Sequence, residues 1–145
     1  MSGSPAVGIK DILISEGIAA LVETGGAWTI KVGRIIESPD KMLACFDTPG
    51  QNPNPKWLVD YPTAQVFIRG PIDDYQATWV KAKEVKDALV GRDPATINGD
   101  LWDAILGMGD LIFVRFDERN RPIFTMNFRF IIEPGVSALS NREPL

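Results

Sequence analysis

Carboxylates are the main reactive groups this chain offers. Asp73 and Asp74 are adjacent, and Asp100, Asp103 and Asp110 recur over residues 100–110, residue types that hold magnesium or pass protons when brought into pairs. Nothing in their spacing brings them together, and a helix cap plus solvated loop acids is the plainer reading. The chain has no histidine, which excludes histidine triads and histidine metal sites. Its single cysteine, Cys45, excludes a cysteine-rich metal centre and an internal disulfide. Cys45 sits in the apolar run 42–46 with no basic cluster beside it, so an inert buried thiol and a reducing, intracellular setting are expected. The glycines of 91–109 are not followed by Gly-Lys-Ser/Thr and form no phosphate loop, while Gly107 and Gly109 suit a bulge or turn. No catalytic, cofactor-binding or metal-binding residue is assigned. A carboxylate-metal hydrolase is the rival of a different class, to be separated by a magnesium or manganese titration with a hydrolase assay.

Chemistry being scarce, the elements that carry side chains to surfaces matter more. With 145 residues, one domain is expected, burying about two-thirds of its unfolded surface. A net charge of −4 and a pI near 4.8 disfavour tight binding to nucleic-acid backbones. No apolar stretch reaches the roughly 20 residues of a membrane span, and the opening residues lack the basic region of a signal peptide, so a soluble protein is expected.

The clearest pattern is DERNRPIFTMNFRFII at 117–132, a turn followed by a strand. Phe124, Met126, Phe128, Phe130 and Ile132 share one face while Thr125, Asn127 and Arg129 share the other. Five large apolar groups at period two require a core on one side, and residues 111–116 before the turn complete a hairpin. Upstream, Ser4-Pro5 suits a helix start, with Ile9, Ile12 and Leu13 at helical spacing until Gly17. Trp28, Ile30 and Val32 alternate toward a Ser38-Pro39-Asp40 turn and a second strand at 42–47, expected as an antiparallel pair. Residues 48–56, TPGQNPNPK, form an exposed loop. A third strand at 64–70 places Val66 and Ile68 opposite Gln65, Phe67 and Arg69. Asp74 then caps a helix whose buried stripe is expected to be Tyr75, Trp79, Ala82, Val85 and Leu89, with Lys81, Lys83 and Lys86 outside and Gly91 as the stop. A second loop at 91–99 precedes two or three strands within 101–133. These elements predict an α+β domain over residues 1–133, with two helices packed on one face of a mostly antiparallel β-sheet, and an extended C-terminal arm at 134–145.

Among the aromatics, Trp57 and Tyr61, flanked by Pro55 and Pro62, form either a partner-binding loop or an anchor onto the chain's own core. Phe67 and the polar side of the last strand form either an intersubunit patch or a partly covered sheet face.

Three segments together resemble the tail terminator proteins of long-tailed bacteriophages, often labelled phage minor capsid proteins. They are YPTAQVFIRG at 61–70, the helix bearing Ala82, Val85, Asp87, Ala88 and Leu89 before Gly91, and DERNRPIFTMNFR at 117–129. The likeness covers roughly residues 5–133 in order. It implies a small α/β sandwich and a structural virion protein rather than an enzyme. Such a protein forms a hexameric ring on the finished tail tube, stops further polymerisation and joins the tail to the neck of the head. The implied partners are copies of itself, the tail tube protein, a neck or head-closure protein, and passing genomic DNA held without tight binding; no membrane is involved. The implied location is the head-proximal end of the virion tail, after synthesis in the host cytoplasm. Within this role, Trp57 and its proline-rich loop are expected to face tube or neck, and Tyr61, Phe67, Arg69, Asn127 and Arg129 are candidate interface residues. Asp100, Asp103 and Asp110 are candidates for a lumen that repels phosphate. A head-closure or head–tail joining neck protein is the neighbouring alternative.

Overall fold

Ser4 and Pro5 open the first helix as their types predict. The computed structural model describes residues 3–22 and 25–145. In α1 (Pro5–Ser15) the Ser4 Oγ accepts from the Val7 amide at 3.3 Å, and Ala6, Ile9, Ile12 and Leu13 are buried. Gly8 lies flat on Trp102, where any Cβ would overlap the indole ring. In α2 (Tyr75–Leu89) Asp74 caps the Ala77 amide at 3.1 Å, and Gly91, at φ 75°, takes the left-handed turn after the last residues.

The buried stripe of α2 departs from the expected one. Thr78, Ala82, Val85 and Leu89 face the core, whereas Tyr75 and Trp79 are 44% and 37% exposed. The cause lies in the sheet: the start of α2 runs so close to Gly70 that a Cβ there would collide with the Thr78 Oγ1, so only a small residue fits and the indole turns outward.

Six strands form one sheet: β1 (Thr29–Val32), β2 (Met42–Thr48), β3 (Thr63–Arg69), β4 (Ala95–Ile97), β5 (Asp100–Phe116) and β6 (Pro122–Glu133). Their order is β1-β2-β3-β6-β5-β4, and both helices cover one face. Phe124, Met126, Phe128, Phe130 and Ile132 of β6 are all buried there beside Val66, Ile68 and Leu89, as the alternation requires. The hairpin of β5 and β6 also forms as expected, with Phe113 opposite Phe124 and Ile105 opposite Phe130.

Two expectations for the sheet are corrected. First, β1 and β2 are parallel, Thr29 pairing with Met42 and Val32 with Cys45. The segment 33–41 does not turn back tightly; it runs the length of the pair and is held by side chains from elsewhere. Arg69 donates to the carbonyls of Ile36 (2.7 Å), Pro39 (2.7 Å) and Asp40 (3.0 Å). Second, the loop expected at 91–99 contains β4, which pairs antiparallel with Leu101 and Trp102 through a two-residue turn. Asn98 (φ 51°) and Gly99 (φ 86°) supply the two left-handed residues that such a turn needs.

The C-terminal segment at 134–145 bonds back to the chain. Glu143 and the 56–58 backbone exchange two hydrogen bonds, Leu58 N to Glu143 O at 2.7 Å and Glu143 N to Lys56 O at 2.9 Å. Arg142 adds an ion pair to Asp60 at 2.7 Å, so the segment returns to the proline-rich loop.

Candidate interaction surface

The carboxylates do not converge. Among the described residues no group of three histidine, cysteine or acidic side chains is placed to hold a metal ion. Asp74 is a helix cap. Asp100 is buried, and its Oδ1 accepts from the Gly135 amide at 2.7 Å, so it latches the segment just past β6. Asp103 hydrogen-bonds to Glu133 and raises the Glu133 pKa, with burial and mutual repulsion adding to the effect. Asp110 is exposed and paired with Lys86 at 2.9 Å; hydrogen bonds from Lys86 and from the Leu111 amide lower its pKa. The Cys45 thiol is buried and pushed up to about 12, chiefly by loss of solvent and then by the charge of Asp47, which fits an inert core residue.

At one end of the sheet two buried guanidiniums organise the chain. Arg69 is spent on the carbonyls of the 36–40 segment, and burial followed by repulsion from Arg121 lowers its pKa. Arg121 pairs with Asp117 at 2.8 Å and donates to the Glu37 carbonyl at 2.7 Å. Burial works against charge on Asp117, but hydrogen bonds from the Arg121 amide, the Arg121 side chain and the Arg119 amide outweigh it and hold its pKa down. This knot closes the β5–β6 turn, where Asn120 adopts φ 58°. Arg69, expected near a subunit boundary, is thus buried and engaged inside its own chain. Arg121 carried no such expectation; its only sequence signal is its place two residues before the clearest strand.

The sheet face away from the helices is open. Strand pairing puts Phe46, Gln65 and Asn127 in one row and Phe67 and Thr125 in the next, all half-buried. From β5, Leu106 stands opposite Arg129, Met108 opposite Asn127 and Ile112 opposite Thr125, and these three apolar side chains are 42%, 41% and 51% exposed. Arg129 lies in a shallow pocket with Leu106, Gly107, Met108 and Gly109. Its Nε is shut off from solvent and has no hydrogen-bond partner. The structure therefore brings Phe67, Asn127 and Arg129 onto one surface. Leu106, Met108 and Ile112 join them, a grouping the sequence does not announce because β5 carries long apolar runs and its bulges hide the alternation.

Trp57 lies in the proline-rich loop before β3, while Tyr61 follows Asp60, which bridges Ile132 in continuation of the β3–β6 pairing. Trp57 is 37% exposed, with the Lys56 ammonium 5.0 Å from its ring centre. Tyr61 is half-buried and its carbonyl accepts from Gln51 at 3.2 Å. Asn54 Oδ1 accepts from the amides of Lys56 and Trp57, both at 2.8 Å, so the loop is fixed although exposed.

No curated protein sequence matches the chain. The family model for bacteriophage tail terminator proteins matches residues 12–134, from within α1 to just past β6.

Proposed function

The chain belongs to the bacteriophage tail terminator family, and from that premise we propose that it assembles as a hexameric ring on the head-proximal end of the tail tube, where it stops polymerisation and joins the tail to the neck. The observation that carries this reading is the open sheet face. A single subunit leaves Leu106, Met108 and Ile112 in water around an arginine without an acceptor, the composition of the centre of a protein contact rather than of a free surface. A passive role also agrees with Asp74 as a cap, Asp100 as a latch and Asp110 in an ion pair. The Trp57 loop, fixed and exposed, suits a contact with tube or neck protein. Asp103 and Asp110 remain the lumen candidates, their negative charge favouring a conduit through which DNA slides.

Particles assembled without the protein test the reading. Overlong tails lacking heads are the expected product, seen by electron microscopy; tails of ordinary length on filled heads overturn it. Pull-down against purified tube protein and, separately, against head-closure protein distinguishes the terminator from the neck-joining role.

A further inference from the structure

The two ends of the sheet carry apolar surfaces flanked by opposite charges. At one end β4 covers only the start of β5, so residues 106–116 form the sheet margin. Tyr75 and Trp79, one turn apart on α2, flank it, and the Tyr75 ring lies 5.1 Å from that of Phe113, which lies 5.4 Å from that of Phe116. Val114 is the residue left unpaired by the break after Phe113. All five side chains are exposed, an apolar cluster of the kind that marks a protein contact. The turn before α2 is bonded to the β5–β6 turn, Asp73 N to Asn120 O at 2.8 Å, which sets Asp73 beside the cluster, and Glu118 follows Phe116 by two residues. Both acids are exposed, and neither carboxylate is in an ion pair among the described residues. The cations nearby are turned elsewhere: Arg119 pairs with Glu37 at 3.2 Å, and Arg115 stands opposite Ile123 on the open face.

At the other end, four strand spacings or about 19 Å away, β1 is the margin. Ala20 bridges Thr29 on its outer side and is followed by Leu21 and Val22, 56% and 63% exposed. Lys31 within β1 and Arg34 just past it are in no ion pair among the described residues. Charge keeps either surface from meeting its own copy, since acids would face acids and cations would face cations.

We propose that copies of this chain join head to tail, the aromatic and acidic β5 margin of one packing on the aliphatic and basic β1 margin of the next. The occupant is a second copy because each margin supplies the charge that the other lacks. The two surfaces lie on opposite sides of the molecule, so each added copy leaves a free margin at both ends, and the series closes as a ring once the rotation per step completes a circle. The proposal rests on the ring reading and gives that ring its subunit contact. Asp110 is paired with Lys86, two turns of α2 beyond Trp79, and lies outside the contact.

The test uses the full chain, by sedimentation velocity in solution and by electron microscopy on purified tail tubes. One double variant carries Asp73→Asn and Glu118→Lys, asparagine being suited to the left-handed backbone of residue 73 (φ 57°); the other carries Lys31→Glu and Arg34→Glu. Each is expected to weaken association about tenfold or more, with circular dichroism unchanged. An equimolar mixture of the two is expected to restore rings, because alternating copies make every contact complementary. Direction is read by thiol coupling: Cys45 is buried, so Val22→Cys and Val114→Cys supply the reachable thiols, and a bis-maleimide is expected to couple these two variants to each other and neither to itself. Three results overturn the contact and leave the ring reading standing: rings that form in each double variant as in the parent, double variants that fail and are not restored by mixing, or a thiol variant that couples to itself. In the first case, loss of pull-down by tube or neck protein assigns the margins to that partner instead. A parent chain that stays monomeric in solution and on tube ends overturns both.

Discussion

Arg69 and Arg129 lie on the same face of the sheet, directed there by the same alternation, yet they have opposite fates. Arg69, at one end of β3, is buried and gives its guanidinium to the carbonyls of Ile36, Pro39 and Asp40. Arg129, on the neighbouring β6, has no acceptor of its own. The first is a structural residue, because it shapes a loop that would otherwise lack partners for its backbone. The second makes no such bond, and its Nε is buried without a partner. Strand register decides which face an arginine occupies; what lies over that face decides whether its charge is spent internally.

Substitutions should separate the two. The largest effect is expected at Arg121→Met, which leaves Asp117, only 8% exposed in its side chain, without its ion-pair partner; a loss of about 3 kcal/mol is expected, read from urea unfolding. Arg69→Met should cost about 2 kcal/mol in the same assay, since several carbonyls of 36–40 lose their donors and must find water. If Arg69→Met proves neutral, the contrast with Arg129 disappears.

Acid should reach the Arg121 knot and spare Arg129. The Asp117 pKa is lower in the folded chain than in the unfolded one, so its contribution is complete above the ordinary aspartate value near 4. That contribution is lost as pH falls through the depressed folded value. The parent's unfolding midpoint should therefore fall more steeply below about pH 4 than that of Asp117→Asn, measured by circular dichroism. The smallest effect on stability is expected at Arg129→Met, within about 0.5 kcal/mol of the parent and of either sign, because no bond within the chain is broken. A loss above about 2 kcal/mol there would mark Arg129 as a second structural arginine.

Much of the fold was legible because it rests on local rules. The period-two run of β6 needs only side-chain direction, and the helix starts at Ser4-Pro5 and Asp74 need only capping chemistry. What escaped depends on distant residues. The parallel pairing of β1 and β2 follows from a loop held by Arg69 and Arg121, which no local pattern announces. The outward turn of Trp79 follows from how closely α2 approaches Gly70. β4 does carry a local signal, since Asn98-Gly99 is the preferred pair for a two-residue hairpin turn. Of the candidate interface residues, Phe67, Asn127 and Arg129 fall together on the open face as their alternation foretells, and Arg69 shares that face but is covered by a loop whose path the sequence does not reveal.

The three breaks in the β5 ladder, after Trp102, Met108 and Phe113, bear on how the sheet resists pairing with stray strands. β4 pairs with only the first three residues of β5, and beyond the hydrogen bond from Gly91 to Ile105 a long apolar margin faces outward. An uninterrupted margin of that kind is a template for fibrils. The irregularity after Met108, with Gly109 at φ 78°, and the one after Phe113 cut it into lengths too short for a stray strand to zip along.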